Sequence, residues 1–197
     1  MKFFDNAVSF SNEEGREYAP VIAASDLTKT PPMLQVRHLV PSDSIEALTH
    51  LLHRAYARLG AMGLNYTAVD QTAEVTARRI AGGQCYVAEW NGGLAGTIVI
   101  QPTYRENECK YFTRPGVAAA HQFAVEPALQ GHGIGRALLD ACERWAAQGG
   151  FREVAMDTAE EAAHLIAFYA RLGYKHVGHV QWSGKVYRSV VLSKLVR

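Results

Sequence analysis

A chain of 197 residues, 48% hydrophobic and 20% charged, can bury one good core and is ordinary for a globular domain. Twenty Lys plus Arg against nineteen Asp plus Glu leave a net charge of +1 with no basic block, which argues against nucleic acid as a partner. No apolar run approaches the roughly 18 residues of a membrane span, and the opening MKFFDNAVSF lacks a secretory apolar core, so a cytoplasmic protein with no membrane partner is expected. Cys85, Cys109 and Cys142 are odd in number, far apart and without a CxxC, and read as reduced thiols.

Residues 1–33 are polar and irregular and end in TKTPPM, so they read as an N-terminal arm of unassigned role before a domain over 34–197. LQVRHLV alternates like a strand. PSDSIEALTHLLHRAYARLG follows with Ser42 or Ser44 as cap and Ile45, Leu48, Leu52, Ala55 and Leu59 at helical spacing. QTAEVTARRIAGG predicts a second helix, and CYVAEWNGGLAGTIVI two strands about the turn Asn91-Gly92-Gly93. After the loop PTYRENECKYFTRPG comes a strand over Val117–Val125. EPALQGHGIGRALLDACERW then places three glycines ahead of a helix with Ile134, Leu138, Ala141, Cys142 and Trp145 on one face. Strand REVAMD, helix AAHLIAFYARLG and strands YKHVGHV and VYRSVVLSKL complete the order β, α, α, β, β, β, α, β, α, β, β. That order describes a mixed α/β sheet rather than a doubly wound parallel one.

The glycines raise the chemical question. A helix start carries unpaired N–H groups and the positive end of the helix dipole, so Gly131, Gly133 and Gly135, without Cβ atoms, would let a phosphate approach closely. A P-loop needs Gly-Lys-Ser/Thr where this chain has Gly135-Arg136-Ala137. A dinucleotide fingerprint needs Gly at 136, although Asp157 stands about 20 residues on. Flexible-turn packing is the plain alternative.

Gln130-Gly131-His132-Gly133-Ile134-Gly135, between the strand HQFAVEP and an amphipathic helix, resembles the Gln/Arg-x-x-Gly-x-Gly/Ala signature of the GNAT superfamily of acyl-CoA-dependent N-acetyltransferases. AHLIAFYARLGYKHVG is similar to the second motif of that family, a helix ending in Tyr169, Gly173 and Tyr174. The resemblance implies a largely antiparallel central sheet of about six to seven strands flanked by helices. It implies acetyl-CoA as cosubstrate, its pyrophosphate on Gln130, Gly131, His132, Gly133, Ile134, Gly135 and Arg136, and its pantetheine along the backbone of Phe123, Ala124 and Val125. His164 and Phe168 join this coenzyme-binding set. The family often has Asn where this chain has Ala162, and His164 is a candidate to supply the missing polar contact.

The implied reaction is direct attack of a primary amine on the acetyl thioester, with a strand N–H near Phe123 stabilising the oxyanion and Tyr169 as the acid that protonates the leaving sulfur. From spacing alone Tyr169 reads as a core aromatic on the stripe Leu165, Phe168, Tyr169, Leu172. His121, two residues from Phe123 and so expected on its face of the strand, is the candidate base; water or Glu89 could serve instead. His50-x-x-His53 and His176-x-x-His179, the latter at a strand spacing that alternates faces, lack a completing carboxylate or thiol, so no metal is expected. The acceptor is expected among GAMGLNYTAVDQ, PTYRENECKYF and VQWSGKVYRS. There Tyr66, Tyr104, Tyr111, Phe112, Trp182 and Tyr187 suit a small-molecule amine, with Glu106, Glu108 and Asp70 to attract a cation. A homodimer is the alternative use of such aromatics. Rival functions are a non-catalytic acyl-CoA sensor and a dinucleotide-binding oxidoreductase.

Overall fold

The computed structural model describes residues 32–196, so the expected arm, apart from Pro32 and Met33, lies outside the described residues. Strands β1 (Leu34–His38), β2 (Gln84–Trp90), β3 (Gly93–Gln101), β4 (Val117–Val125), β5 (Glu153–Ala159), β6 (Lys175–Val180) and β7 (Ser189–Leu195) form one sheet in the order β1-β2-β3-β4-β5-β7-β6. Every neighbouring pair is antiparallel except β4 and β5. Four helices cover it: α1 (Ile45–Ala61), α2 (Ala73–Ile80), α3 (Ile134–Gln148) and α4 (Ala163–Arg171).

Local chemistry sets these limits. Ser44, rather than Ser42, caps α1, its hydroxyl accepting from the Ala47 N–H at 3.1 Å. Thr72 caps α2 in the same way, and α2 stops at Ile80, short of the expected glycine pair. Asn91 (φ 51°) and Gly92 (φ 81°) make a two-residue turn with two left-handed residues, so Gly93 already belongs to β3. β7 begins at Ser189, not Val186, because Tyr187 turns into a cavity instead of joining the ladder.

The α1 stripe Leu48, Leu51 and Leu52 is fully buried against one face of the sheet, with Cys85, Val87, Val99 and Ala124. At roughly 1.5–3 kcal/mol for each large apolar side chain, such burial outweighs the helix's weak intrinsic propensity. The opposite face carries α3 and α4, which pack Ile134, Leu138, Leu139 and Tyr169 on Tyr86, Ile98, Ile100, Ala118 and Ala120. On β6 a register shift between His176 and Gly178 breaks the alternation. It brings the His176 and His179 rings to 4.5 Å, correcting the expectation of opposite faces, and Glu160 accepts from His179 at 3.0 Å.

Candidate active site

β4 and β5 pair only through Val117–Ala119 against Glu153–Ala155. Beyond Ala119 they part, so Ala120 to Val125 has no strand partner on that edge. On its other edge β4 meets β3 through a bulge. Val99 opposes His121 and Thr97 opposes Ala124, which leaves Gln122 and Phe123 to share Ile98. Gln122 takes φ 50°, a left-handed conformation that costs a non-glycine residue about 1–2 kcal/mol, and its side-chain oxygen accepts from Gln71 at 2.8 Å inside the core.

The bulge turns the strand over once. Ala118 and Ala120 face the α3 core before it, Phe123 and Val125 after it. His121 therefore faces away from Phe123, a correction to the reading that assumed an unbroken period of two. Both ring nitrogens of His121 are buried without a hydrogen-bond partner among the described residues. Loss of water, and then the charge of Arg79, pull its pKa down to about 3, so the ring is neutral at neutral pH.

At the glycine turn, Gly131 (φ 85°) and Gly133 (φ 81°) are left-handed, and no atom lies within 4 Å of where a Cβ would stand on either. The space above both is open. The first intrahelical bond of α3 runs from Ala137 N–H to Gly133 O at 3.0 Å, so the N–H groups of Ile134, Gly135 and Arg136 have no partner within the helix. Gly135 plays a different part: a Cβ there would sit 3.1 Å from Phe123 Cζ and 3.4 Å from Phe168 Cζ. Its bareness lets α3 settle on that stacked pair, whose rings lie 6.2 Å apart. The three glycines are thus not equivalent, although the sequence alone assigns all three the same part. The His132 ring bonds the carbonyls of Leu129 and Gln130 at 3.2 Å and packs on Trp90. Arg136 is exposed, 3.8 Å from Asp140. Ala162 gives α4 no side-chain cap, and His164 beside it is exposed and makes no hydrogen bond among the described residues.

Tyr169 is buried at the end of α4, against Phe123, Phe168 and Tyr174. Burial, then Tyr56, Tyr66 and Asp157 nearby, raise its pKa well above the usual phenol range, so it keeps its proton. Its ring forms one wall of a cavity of about 460 Å³ that also meets His121, Phe123, Met156 and Asp157 where β4 and β5 part. The outer wall comes from the three segments expected to hold the acceptor. Of their aromatic residues Tyr66, Tyr104, Phe112, Trp182 and Tyr187 line it, whereas Tyr111 turns away and its hydroxyl bonds Glu153. The segments are stapled together: Glu108 accepts from the Ser183 N–H and hydroxyl, and Asn65 bonds Gly184 and Val186.

The charges differ from expectation. Glu108 reaches the cavity, but Asp70 and Glu106 do not line it, and Glu89 lies elsewhere on β2, bonded to Arg37 at 2.6 Å. Arg79, Lys185 and Asp157 do line it. Asp157 stands within β5, not at its end, and accepts from Trp182 Nε1 at 2.8 Å. Its pKa is raised by burial, against the hydrogen bond from Trp182 and the charge of Arg79. The three cysteines are buried and none lines the cavity. No helix among the described residues is long and apolar enough to cross a membrane.

Residues 46–174 match the model of the acetyltransferase (GNAT) family. The chain belongs to that family. Two curated proteins are similar to this acetyltransferase by sequence at a significant level. One is the S-(2-succino)cysteine N-acetyltransferase of Bacillus subtilis (strain 168), 29% identical over 154 residues, which cover 77% of this chain and 90% of that protein. The fold is shared with the ribosomal-protein-S18-alanine N-acetyltransferase of Escherichia coli, at TM-score 0.63 and 18% identity over 83% of this chain and 94% of that one. It is shared too with a GNAT family acetyltransferase from Elizabethkingia anophelis solved with acetyl-CoA bound, at TM-score 0.59 and 16% identity over 83% of this chain and 98% of that one. This acetyltransferase is therefore an acyl-group-transferring enzyme on a largely antiparallel sheet, and membership displaces the oxidoreductase reading.

Proposed function

We propose that this acetyltransferase moves an acetyl group from acetyl-CoA to the primary amine of a small molecule by direct attack in a ternary complex. The observation that carries the reading is the cavity: it runs from the parting of β4 and β5 to a mouth of stapled loops, and no cysteine lines it to take the acetyl group first. Its volume suits a small molecule. The Bacillus subtilis relative, named for acetylating S-(2-succino)cysteine, supports a small acceptor over a protein one.

The residues present fit the cosubstrate. Gly131 and Gly133 leave open space beside the unpaired N–H groups at the head of α3, with Gln130, His132, Ile134 and Arg136 around them, which suits a pyrophosphate. The unpaired edge at Phe123, Ala124 and Val125 offers amide partners to pantetheine, with Phe168 beneath, and the bulge supplies an N–H for the oxyanion. In the reaction an ammonium substrate first loses one proton to solvent. The neutral amine nitrogen then bonds the acetyl carbon and the carbon–sulfur bond breaks, giving an amide, a thiol and that one released proton. Tyr169 gives its proton to the departing sulfur. His121 holds a proton too weakly to strip an alkylammonium beforehand, so it accepts as the nitrogen bonds carbon and turns acidic.

Thiol release from acetyl-CoA, followed across free small amines and peptides with free amino termini, tests the reading. Turnover with small amines is expected. Turnover with peptides alone removes the small-molecule acceptor, and a melting-temperature rise with acetyl-CoA but no turnover makes the chain a sensor.

A further inference from the structure

Arg79 sits in the last turn of α2 with its guanidinium in the cavity. Its Nη1 donates to the Gln71 side-chain oxygen at 2.8 Å. Gln71 is itself buried and fixed by Thr76 and Gln122, so the guanidinium is held in place. No ion pair among the described residues includes it. Lys185 lines the same cavity and donates to Asn65 O at 2.7 Å and Thr67 Oγ1 at 3.0 Å, neither of them a carboxylate. The two acids of the lining, Asp157 and Glu108, are engaged with Trp182 and Ser183. A guanidinium largely withdrawn from water with no paired carboxylate, only the unpaired charge of Asp157 acting on it, is costly to keep, and one N–H given to Gln71 leaves most of its planar fork unused.

We propose that the acceptor carries a carboxylate beside its amine, as an amino acid or close analogue does, and that Arg79, seconded by Lys185, receives that carboxylate. The inference rests on the acetyl-transfer reading above and names the acceptor class for it. The cavity is then dipolar: Arg79 seats the acid end, Asp157 gives the ammonium its counter-charge, and the amine is left on the side of His121 and Tyr169. A carboxylate on Arg79 also offsets the positive field that, after burial, holds the His121 pKa down, so the bound acceptor makes its own base stronger. Two parallel N–H···O bonds to a carboxylate are the geometry a guanidinium serves and an ammonium does not.

The test titrates matched pairs calorimetrically into protein saturated with coenzyme A: phenylalanine against phenethylamine, and leucine against isoamylamine. The acid member of each pair should bind about 10- to 100-fold tighter, and kcat/KM should show the same preference. Arg79→Met should bring the acid-to-amine ratio down toward one, Arg79→Lys should restore part of it, and Lys185→Met should lower it less. Pairs that bind alike, pairs of which neither member binds, or a ratio unchanged in a folded Arg79→Met protein overturn the proposal. Thiol release with the decarboxylated amines as the better acceptors sinks it while the acetyl-transfer reading stands. A protein that does not take up coenzyme A at the outset fails that earlier reading instead.

Discussion

The glycine turn and the cavity mouth are recognition surfaces of opposite kinds. The turn spans seven consecutive residues, Gln130 to Arg136, and offers backbone: N–H groups at a helix head, with two left-handed glycines that keep side chains away. The mouth offers side chains drawn from α2, three loops and two strands, among them Arg79, Tyr66, Glu108, Trp182, Lys185, His121 and Asp157. A ligand recognised through backbone leaves a contiguous imprint in a sequence. One recognised through side chains scatters its imprint over more than a hundred positions and becomes visible only when the chain folds.

The largest expected effect lies where the two surfaces meet. Tyr169→Phe keeps the ring packing and removes the hydroxyl, so single-turnover acetyl transfer should fall about 10²- to 10⁴-fold with little change in acetyl-CoA affinity. Transfer at the wild-type rate would make Tyr169 a core aromatic. Next come the glycines, which sharpen the contrast because two of the three do different work. Gly133→Val meets no atom, yet it forces a branched residue to φ 81°, at a cost of about 1–2 kcal/mol or more. Coenzyme A affinity measured by calorimetry should drop about tenfold or more. Gly135→Val instead presses on Phe123 and Phe168 and should cost about 1–3 kcal/mol in chemical denaturation. Equal effects of the two substitutions on affinity would erase the distinction.

The last expected effect concerns pH. The His121 pKa is about 3 in the fold against 6.5 for an ordinary histidine, so between those values the unfolded chain binds the extra proton. Its contribution to stability is complete above pH 6.5 and is lost as pH falls toward 3, with a slope of at most about 1.4 kcal/mol per pH unit. Asp157, raised by burial, works in the opposite direction, so the comparison is wild type against His121→Gln. The variant should lose less stability between pH 6.5 and 4.5, as read by urea unfolding. An equal loss in both proteins would show that His121 titrates normally.

Much of the fold was legible because it follows local rules. The order of elements, the cap at Ser44, the Asn91-Gly92 turn and the stripes of α1 and α3 all agree with their patterns. The three segments expected to hold the acceptor do converge. The β3–β4 and β6–β7 connections leave opposite ends of the sheet, however, so they meet only because the long loop 102–116 folds back over the sheet to Ser183. The rest depended on non-local facts. Nothing in HQFAV announces a bulge, because φ 50° at Gln122 is held by Gln71 from another element. Arg79 sits in ARRIAGG like any solvent-facing arginine of a last helical turn, and only the packing of α2 on α1, with the bond to Gln71, turns it inward. Asp70 and Glu106 drew attention by charge alone, but loop charges most often face water.

The central claim is that the acetyl group passes straight from acetyl-CoA to a free small-molecule amine. The most direct measurement is mass spectrometry of one quenched turnover, with isotopically labelled acetyl-CoA and a panel of free amino acids and amines. The account predicts labelled N-acetyl amine and a protein whose mass never changes. Labelled acetyl on the protein before any on the amine, or label transferred only to peptides, would contradict it.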